Sequence, residues 1–466
     1  MGRLINYLLV PIYTRVFLPA EFGVVTEMYA YVAFLAVFLT YGMETAFFRF
    51  VNLGHNTSKV YSTSVITLFS TSLLFILVMS LFSSDIAIWL RYPSHPEYVK
   101  YFAWIVTLDA FTVIPFAKLR ADNKAIRFAI IRLLNILMNV AMNVLFIFVV
   151  PWLINNKVLD ESMFSYVIDN GKVTVSAVFI SNLIASVFTV ILLLPEYMKV
   201  KFEWSAELLK KMLFYSMPVM IAGFAGIINE TIDRILIKYL LPADISMVQL
   251  GIYGACYKVA ILMTIFIQAF RYAAEPFFFS QAKDKNAPEL YSAVMNYFVI
   301  AVSFIFLTVM MYIDVVMLFV GEKFREGAKV VPVLLMANLF LGIYYNLSIW
   351  YKITNRTIYG AYISIIGAII TLVLNFLLIP LMGYMGAAWA TFICYLSMMI
   401  ISYYTGQKYY PVNYNFKKLL FYIGLAVLFY LISLLFQSLS KPVMYTINSV
   451  LLIIFCLIVY KKEKRK

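Results

Sequence analysis

The sequence predicts an all-α polytopic membrane protein of about fourteen transmembrane helices: two related six-helix lobes followed by two C-terminal helices. Three observations carry that prediction. Hydrophobic residues make up 64% of the chain and charged residues 13%, with a mean hydropathy of +0.89, well outside the range of a soluble globular protein. Apolar runs long enough to cross roughly 30 Å of hydrocarbon recur along the whole length. The second half also repeats the first. A slide of 223 puts Asn6 on Asn229, Arg15 on Lys238 and Pro19-Ala20-Glu21 on Pro242-Ala243-Asp244, and a slide of 232 puts Asn123-Lys124 on Asn355-Arg356 and Asn143 on Asn375. The drift of the offset is what loop insertions do to an old duplication, and the period is far too long for a solenoid.

The apolar segments fall, in order, at 2–17, 25–48, 61–82, 99–118, 128–150 and 175–196, which make up an N-lobe over 1–196. Those at 213–240, 250–270, 289–319, 329–350, 357–380 and 384–404 make up a C-lobe over 213–405. Two more, at 418–436 and 443–460, lie within 416–460, ahead of a basic tail at 461–466. Barrel strands would be shorter and would alternate, so helices are the spanning element. The first segment is the weak one. Its repeat partner begins near Leu213, so a full first helix would begin about ten residues before Met1. The expectation is an upstream start or a truncated chain, with a short tilted or re-entrant helix as the alternative. The longest stretch outside the segments, 151–175, reads as a loop. Pro11, Pro218, Pro332 and Pro380 are expected to interrupt or kink helices.

Orientation follows from Lys and Arg. If every segment crosses and the chain starts in the cytoplasm, the even-numbered loops hold Arg49/Lys59, Lys118/Arg120/Lys124/Arg127, Lys199/Lys201/Lys210/Lys211, Arg271/Lys283/Lys285, Lys352/Arg356 and Lys408/Lys417/Lys418. With Arg3 and the tail, these are about two-thirds of the 37 basic residues, which places both termini in the cytoplasm. The net charge of +14 is mostly this bias toward an anionic lipid face and carries no nucleic-acid meaning. The chain has no P-loop lysine motif, dinucleotide fingerprint or zinc-helix motif, so no cofactor, metal or enzymatic activity is expected. The two histidines, His55 and His95, sit in loops on opposite sides. The three cysteines, Cys256, Cys394 and Cys456, lie in apolar segments and read as small core residues, with no disulfide framework. In a membrane chain, a duplicated half points to a transporter whose site lies between related bundles.

Several segments carry a resemblance. They are Arg3-Leu4-Ile5-Asn6 through Pro11-Ile12-Tyr13-Thr14-Arg15, Pro19-Ala20-Glu21-Phe22-Gly23, Leu119-Arg120-Ala121, Asp233-Arg234, Gly251-Ile252-Tyr253 and Tyr257-Lys258. Further on come Asn375, Ile379-Pro380, Gly383 and Gly386-Ala387-Ala388-Trp389-Ala390-Thr391. Over nearly its whole length the chain resembles the bacterial polysaccharide-biosynthesis flippases (O-antigen and capsule type) of the multidrug/oligosaccharidyl-lipid/polysaccharide exporter superfamily. The shortened first helix is the departure. The resemblance implies movement of undecaprenyl-diphosphate-linked oligosaccharide repeat units to the periplasmic leaflet of the inner membrane. It also implies alternating access of two lobes, with proton or sodium coupling as the candidates. The partners it implies are the lipid-linked glycan and membrane lipid.

The residues suggest where such chemistry would sit. A charge within a span costs on the order of 2.5–3.5 kcal/mol on insertion scales and usually marks a pathway. Arg132, Arg234 and Lys258 are the basic residues inside segments, and Arg15, Arg49 and Arg271 lie at segment ends; all six are candidate substrate-binding residues for a diphosphate. Each has a structural rival. Glu230 and Arg234 stand four apart in the favourable order for an intrahelical pair, and Arg271 and Glu275 four apart in the reverse order. Asp233 points away from Arg234, since neighbours differ by roughly 100° on a helix. Lys258 has no acid three or four residues away, and Arg132 and the end arginines are able to snorkel.

The candidate ion-coupling residues are Asp109, Glu44, Asp233 and Glu230, with Glu27 beside them and Asp314 read as interfacial. Asp109 leads because it has no base within a turn, the rival being an interhelical hydrogen bond. Asn135, Asn139 and Asn143 form one stripe, with Asn375 at the repeat-related place; interhelical hydrogen bonding or a cavity lining are the two readings. Two other functions stay open: a cation/drug antiporter with an acidic or aromatic cavity, and a membrane-embedded polymerase, ligase or glycosyltransferase on the same lipid-linked sugars. The short loops and the duplication speak against the enzyme.

Overall fold

The computed structural model of the chain describes Tyr7, residues 9–201 and residues 203–464. Arg3-Leu4-Ile5-Asn6 of the resemblance, and Arg465 and Lys466 of the tail, lie outside the described residues. Among the described residues, thirteen helices are long and apolar enough to cross a membrane, and each falls on one of the second to fourteenth predicted segments. The chain is a multi-pass membrane protein. The first segment is represented by a seven-residue helix, α1 (Val10–Val16), with Pro11 in its first turn, where a missing N–H costs nothing.

Contacts divide the chain into two compact units, Met1–Ile227 and Ile228–Lys466. The first contains α1, α2 (Pro19–Thr40), α3 (Met43–Asn52), α4 (Thr57–Leu81), α5 (Ser83–Trp89), α6 (Pro96–Ala121), α7 (Ala125–Val144), α8 (Val150–Asn155) and α9 (Ser176–Tyr197). The second apolar segment is broken between α2 and α3. Tyr41 and Gly42 both adopt positive φ there, and a Cβ on Gly42 would stand 2.9 Å from the Ser216 carbonyl oxygen. Only glycine meets both conditions. A π turn, Leu145–Val149, joins α7 to α8 and carries the helix on to Asn155. The 156–175 stretch then holds a two-residue hairpin, β1 (Ile168–Asp169) with β2 (Lys172–Val173), packed through Val167 and Ile168 onto Val150 and Ala177. The central element is α6, which packs on α2, α3, α4, α5 and α9.

Helix α10 (Ala206–Leu240) contributes its first 22 residues to the first unit, where Leu208 and Met212 pack with Phe47, Tyr61 and Ile114, and the remainder to the second. The lobe boundary at 213 follows the repeat; this division follows contacts. The second unit continues with α11 (Ala243–Gln281), α12 (Ala287–Met311), α13 (Ile313–Val316), α14 (Val331–Leu347), α15 (Ile349–Ile353), α16 (Ile358–Met382), α17 (Tyr384–Tyr409), α18 (Phe416–Leu434) and α19 (Lys441–Lys464). The predicted segment 289–319 ends early, at Met311; Asp314 falls in the short α13 beyond it. Pro332 stands in the first turn of α14, while Pro218 and Pro380 lie inside α10 and α16.

Repeat-related positions adopt matching backbones. Asn123 and Asn355 both turn left-handed, at φ 58° and 57°, just beyond α6 and α15. Helices α2 and α11 both begin at the Pro-Ala-acid motif. The outermost helix, α19, exposes Val450, Ile453, Leu457 and Tyr460, the apolar outer surface that lipid requires. Cys456 shares that exposure, so it is a surface residue and not the core residue the sequence suggested. It sits on a helix with few neighbours, and apolar sequence alone does not separate lipid-facing from core-facing positions.

Candidate functional site

In the first unit, a polar seam joins α2, α6, α7 and α9. Asp109, midway along α6, accepts a hydrogen bond from Ser186 Oγ at 2.9 Å. One turn away on α9, Asn182 donates to Tyr29 Oη at 2.8 Å. Asp109 is exposed although it lies at mid-helix, so it borders open space as well as its neighbours. Arg132 on α7 is its charged neighbour. The Arg132 guanidinium lies 4.1 Å from the centroid of Phe116 and is exposed, so its charge is held on an aromatic face rather than drawn to the helix end. Asn135 donates to Ala185 O and Thr189 Oγ1, and Asn143 accepts from Tyr13 Oη at 2.8 Å while donating to Asn139. The Asn stripe therefore makes interhelical hydrogen bonds through its two end members.

Of the other predicted residues of this unit, Glu44 adjoins the seam through Arg120, which shares the Phe128 ring with Arg132; Arg49, Arg15 and Glu27 make contacts of their own. Glu44 on α3 pairs with Arg120 at the end of α6, which also covers Phe48. Arg49 lies 4.0 Å over the Tyr215 ring and is exposed. Arg15 donates to the Pro11 carbonyl at 2.8 Å and points outward, at the exposed end of α1. Glu27 is fully buried and takes the Tyr92 hydroxyl at 2.5 Å.

In the second unit, Asp233 and Arg234 both engage α11, one turn apart on it. Asp233 is buried and accepts from the Tyr253 hydroxyl and from the Arg234 backbone N–H. Arg234 lies 4.4 Å over the Tyr257 ring. No ion pair joins Arg234 to Glu230 among the described residues; Glu230 is exposed in mid-helix. The intrahelical pair permitted by spacing is thus replaced by an aromatic contact on the neighbouring helix. Lys258, partly buried, follows Tyr257 on α11. The Arg271–Glu275 pair does form, at 2.8 Å, and Lys352 joins the same carboxylate oxygen at 2.7 Å, leaving a net positive cluster over Tyr345.

Sequence reasoning missed two features. Glu196, at the end of α9, is fully buried and held by Arg127 at 2.9 Å and Lys199 at 2.6 Å. Its signal, an acid between two basic loops, was hidden because a span end reads as solvated. Asn229 forms the second feature. Its Nδ2 donates to Ser364 O, its Oδ1 accepts from Thr371 Oγ1 at 3.2 Å, and Asn375 donates to Thr371 O. Asn375 Oδ1 is buried without a hydrogen-bond partner. Its repeat counterpart Asn143 has the Tyr13 hydroxyl there, and a slide of 223 puts Leu236 on Tyr13. The two halves share the carboxamide, and the second has Leu236 where the first has the phenol. No group of three or more metal-ligating side chains occurs among the described residues.

Comparison with known proteins follows the same lines. The family described as polysaccharide biosynthesis protein matches residues 1–281. No curated protein matches the chain by sequence. Among solved structures, a lipid II flippase MurJ in an inward closed conformation superposes with a TM-score of 0.73 at 13% identity, covering 99% of this chain and 97% of that one. A multidrug resistance MATE family transporter of the MOP superfamily, inward-facing, gives 0.63 at 14% identity over 88% and 94%. The Vibrio cholerae MATE transporter VcmN in its bent form gives 0.55 at 11% over 90% and 93%. At these identities the likeness is one of fold: an all-helical transporter architecture.

Proposed function

The chain belongs to the polysaccharide biosynthesis protein family, and from that premise we propose that it is a flippase for undecaprenyl-diphosphate-linked oligosaccharide repeat units. It works by alternating access in the bacterial inner membrane, with both termini cytoplasmic and a proton or sodium ion as the coupling ion. The family match over residues 1–281 carries the reading, and the lipid II flippase fold supports it. The charge pattern supports it too. Arg132 and Arg234 sit inside spans on aromatic faces, and Arg271 with Lys352 outnumbers its acid, so cations stand ready for a diphosphate crossing a low-dielectric barrier. Asp109, exposed in mid-span beside Arg132, is the coupling candidate.

A second reading, a cation/drug antiporter, is favoured by one observation: Asp109 and Glu230 are both exposed carboxylates within spans, in a fold shared with MATE transporters. Mass spectrometry of isoprenoid-linked glycans in inner membranes, with and without the gene, separates the readings. Flipping predicts accumulation of a complete diphosphate-linked repeat unit that is inaccessible from the periplasmic side. Truncated sugars would indicate a biosynthetic enzyme, and an unchanged lipid pool would favour the antiporter.

A further inference from the structure

A polar cavity of about 310 Å³ opens in the second unit between the first turns of α12 and the 411–415 linker that joins α17 to α18. Its polar lining is Glu289, Ser292, Asn296, Asn413 and Asn415, with a proline on each wall. The walls are fixed to each other, since Ser292 Oγ donates to Asn413 O at 2.8 Å. Asn415 caps α18 by accepting from Lys418 N at 3.1 Å. At the deep end, Asn296 is 5% exposed, and its Oδ1 has no hydrogen-bond partner. A buried carboxamide oxygen left in that state costs about 1–3 kcal/mol, so a donor is the missing complement.

The lining limits what that donor is. Glu289 is the one charged side chain among the lining residues; it is exposed, and no described residue forms an ion pair with it. No Lys, Arg or His lines the cavity, so an anion would meet only like charge. No aromatic ring lines it either, so the apolar face of a sugar has no platform. What fits an unpaired carboxylate and an orphan carbonyl oxygen together is a cation with several N–H donors. The cavity lies where one spanning helix begins and another span is about to begin, the depth at which lipid headgroups lie. Exposed Lys285 precedes the first lining segment and exposed Lys417 follows the second, each within three residues, suited to a phosphate at the rim.

We propose that this cavity binds the primary ammonium of an ethanolamine-type phospholipid headgroup, with Glu289 and Asn296 as the recognition pair. The proposal needs only the membrane placement of α12 and does not depend on what the protein transports.

Native mass spectrometry of the detergent-purified, delipidated full chain tests it. Phosphatidylethanolamine, phosphatidylcholine and phosphatidylglycerol of equal acyl chains are offered in mixed micelles, with glycerophosphoethanolamine as the free headgroup. The expected result is retention of phosphatidylethanolamine over phosphatidylcholine, which lacks N–H donors, by about tenfold, the weight of one charge-assisted hydrogen bond. Glu289→Gln and Asn296→Leu should each abolish that preference and leave phosphatidylglycerol retention unchanged. Equal retention of the ethanolamine and choline lipids, or a preference that survives both substitutions, overturns the proposal. If Asn296→Leu does not fold, Glu289→Gln at the exposed position decides alone. Binding of glycerophosphoethanolamine as tight as that of the lipid overturns the assignment to a membrane lipid.

Discussion

Within the second unit, the side chains at 233 and 234 show how two neighbouring positions take two different jobs. Asp233 is turned into the protein and takes the Tyr253 hydroxyl, while Arg234 rests on the Tyr257 ring. Among the described residues Arg234 forms no ion pair with Glu230, and the neighbouring Asp233 carboxylate is its main counter-charge. An arginine on an aromatic face is held in place while N–H donors not engaged by the tyrosine stay available for a phosphate. Arg234→Ala and Lys258→Ala should therefore lower transport, read as accumulated lipid-linked glycan, with protein abundance in the membrane near normal. Normal transport in both variants would sink the basic pathway; loss of both proteins from the membrane would make the residues structural. Tyr253→Phe tests the other job. It removes a donor from a buried carboxylate and should lower stability by about 1–3 kcal/mol, seen as a lower melting temperature in detergent. The sequence made Asp233 and Arg234 visible because charges in an apolar run stand out. It did not reveal their partners, because tyrosines are common in this chain and nothing in a tyrosine's own position says which helix it faces.

Among the elements, the helices were legible and their joints were not. Thirteen segments fall on thirteen helices because hydrophobic length is a one-dimensional property. The break at Tyr41–Gly42, the π turn after Val144 and the early end of α12 at Met311 depend on close approaches and packing, which periodicity does not encode. Gly383 illustrates the point. It separates α16 from α17 at φ 59°, and Gln249 Oε1, which accepts from Tyr384 N at 3.1 Å, would stand 2.3 Å from an added Cβ. Gly383→Ala is expected to suffer twice, from backbone strain and from loss of the Gln249 bond. The expected outcome is reduced yield and a lower melting temperature, while Gly54→Ala, with nothing within 4 Å, pays only for its φ of 82°. Tyr13→Phe asks the same of α1: loss of the Asn143 bond should cost about 0.6 kcal/mol, the mean for interhelical hydrogen bonds in membranes. A loss several times larger would show that this phenol is what docks α1.

At the scale of the whole molecule, carboxylates recur in shared groups, buried at Glu196 and beside Lys418 and half-exposed at Glu275. Glu196 is shared by Arg127 and Lys199, Glu275 by Arg271 and Lys352, and Glu463 accepts from both Lys418 and Tyr422. The last group joins α18 to α19, and Lys418 is 6% exposed. Removing one partner of a buried group costs about 3–5 kcal/mol, whereas replacing both with apolar residues is often neutral. Glu463→Gln should therefore destabilise the protein strongly, and adding Lys418→Met should restore much of the loss; a double variant no better than the single would refute the pairing. The sequence showed the Arg271–Glu275 spacing but not the third members, Lys352 and Arg127, nor the Lys418–Glu463 pair, because these partners lie far apart along the chain.

The Glu463 contact also sets an order in time. Lys418 is made 45 residues before the carboxylate that matches it. While the ribosome is still translating α19, α18 holds an ammonium with no counter-charge, and seating it in the packed protein is unfavourable. The contact between lysine and glutamate therefore closes only once α19 has been made and packed on α18. A chain cut short within α19 would keep Lys418 and Tyr422 without the carboxylate they share, so its last-made contact is also one that a truncation removes first.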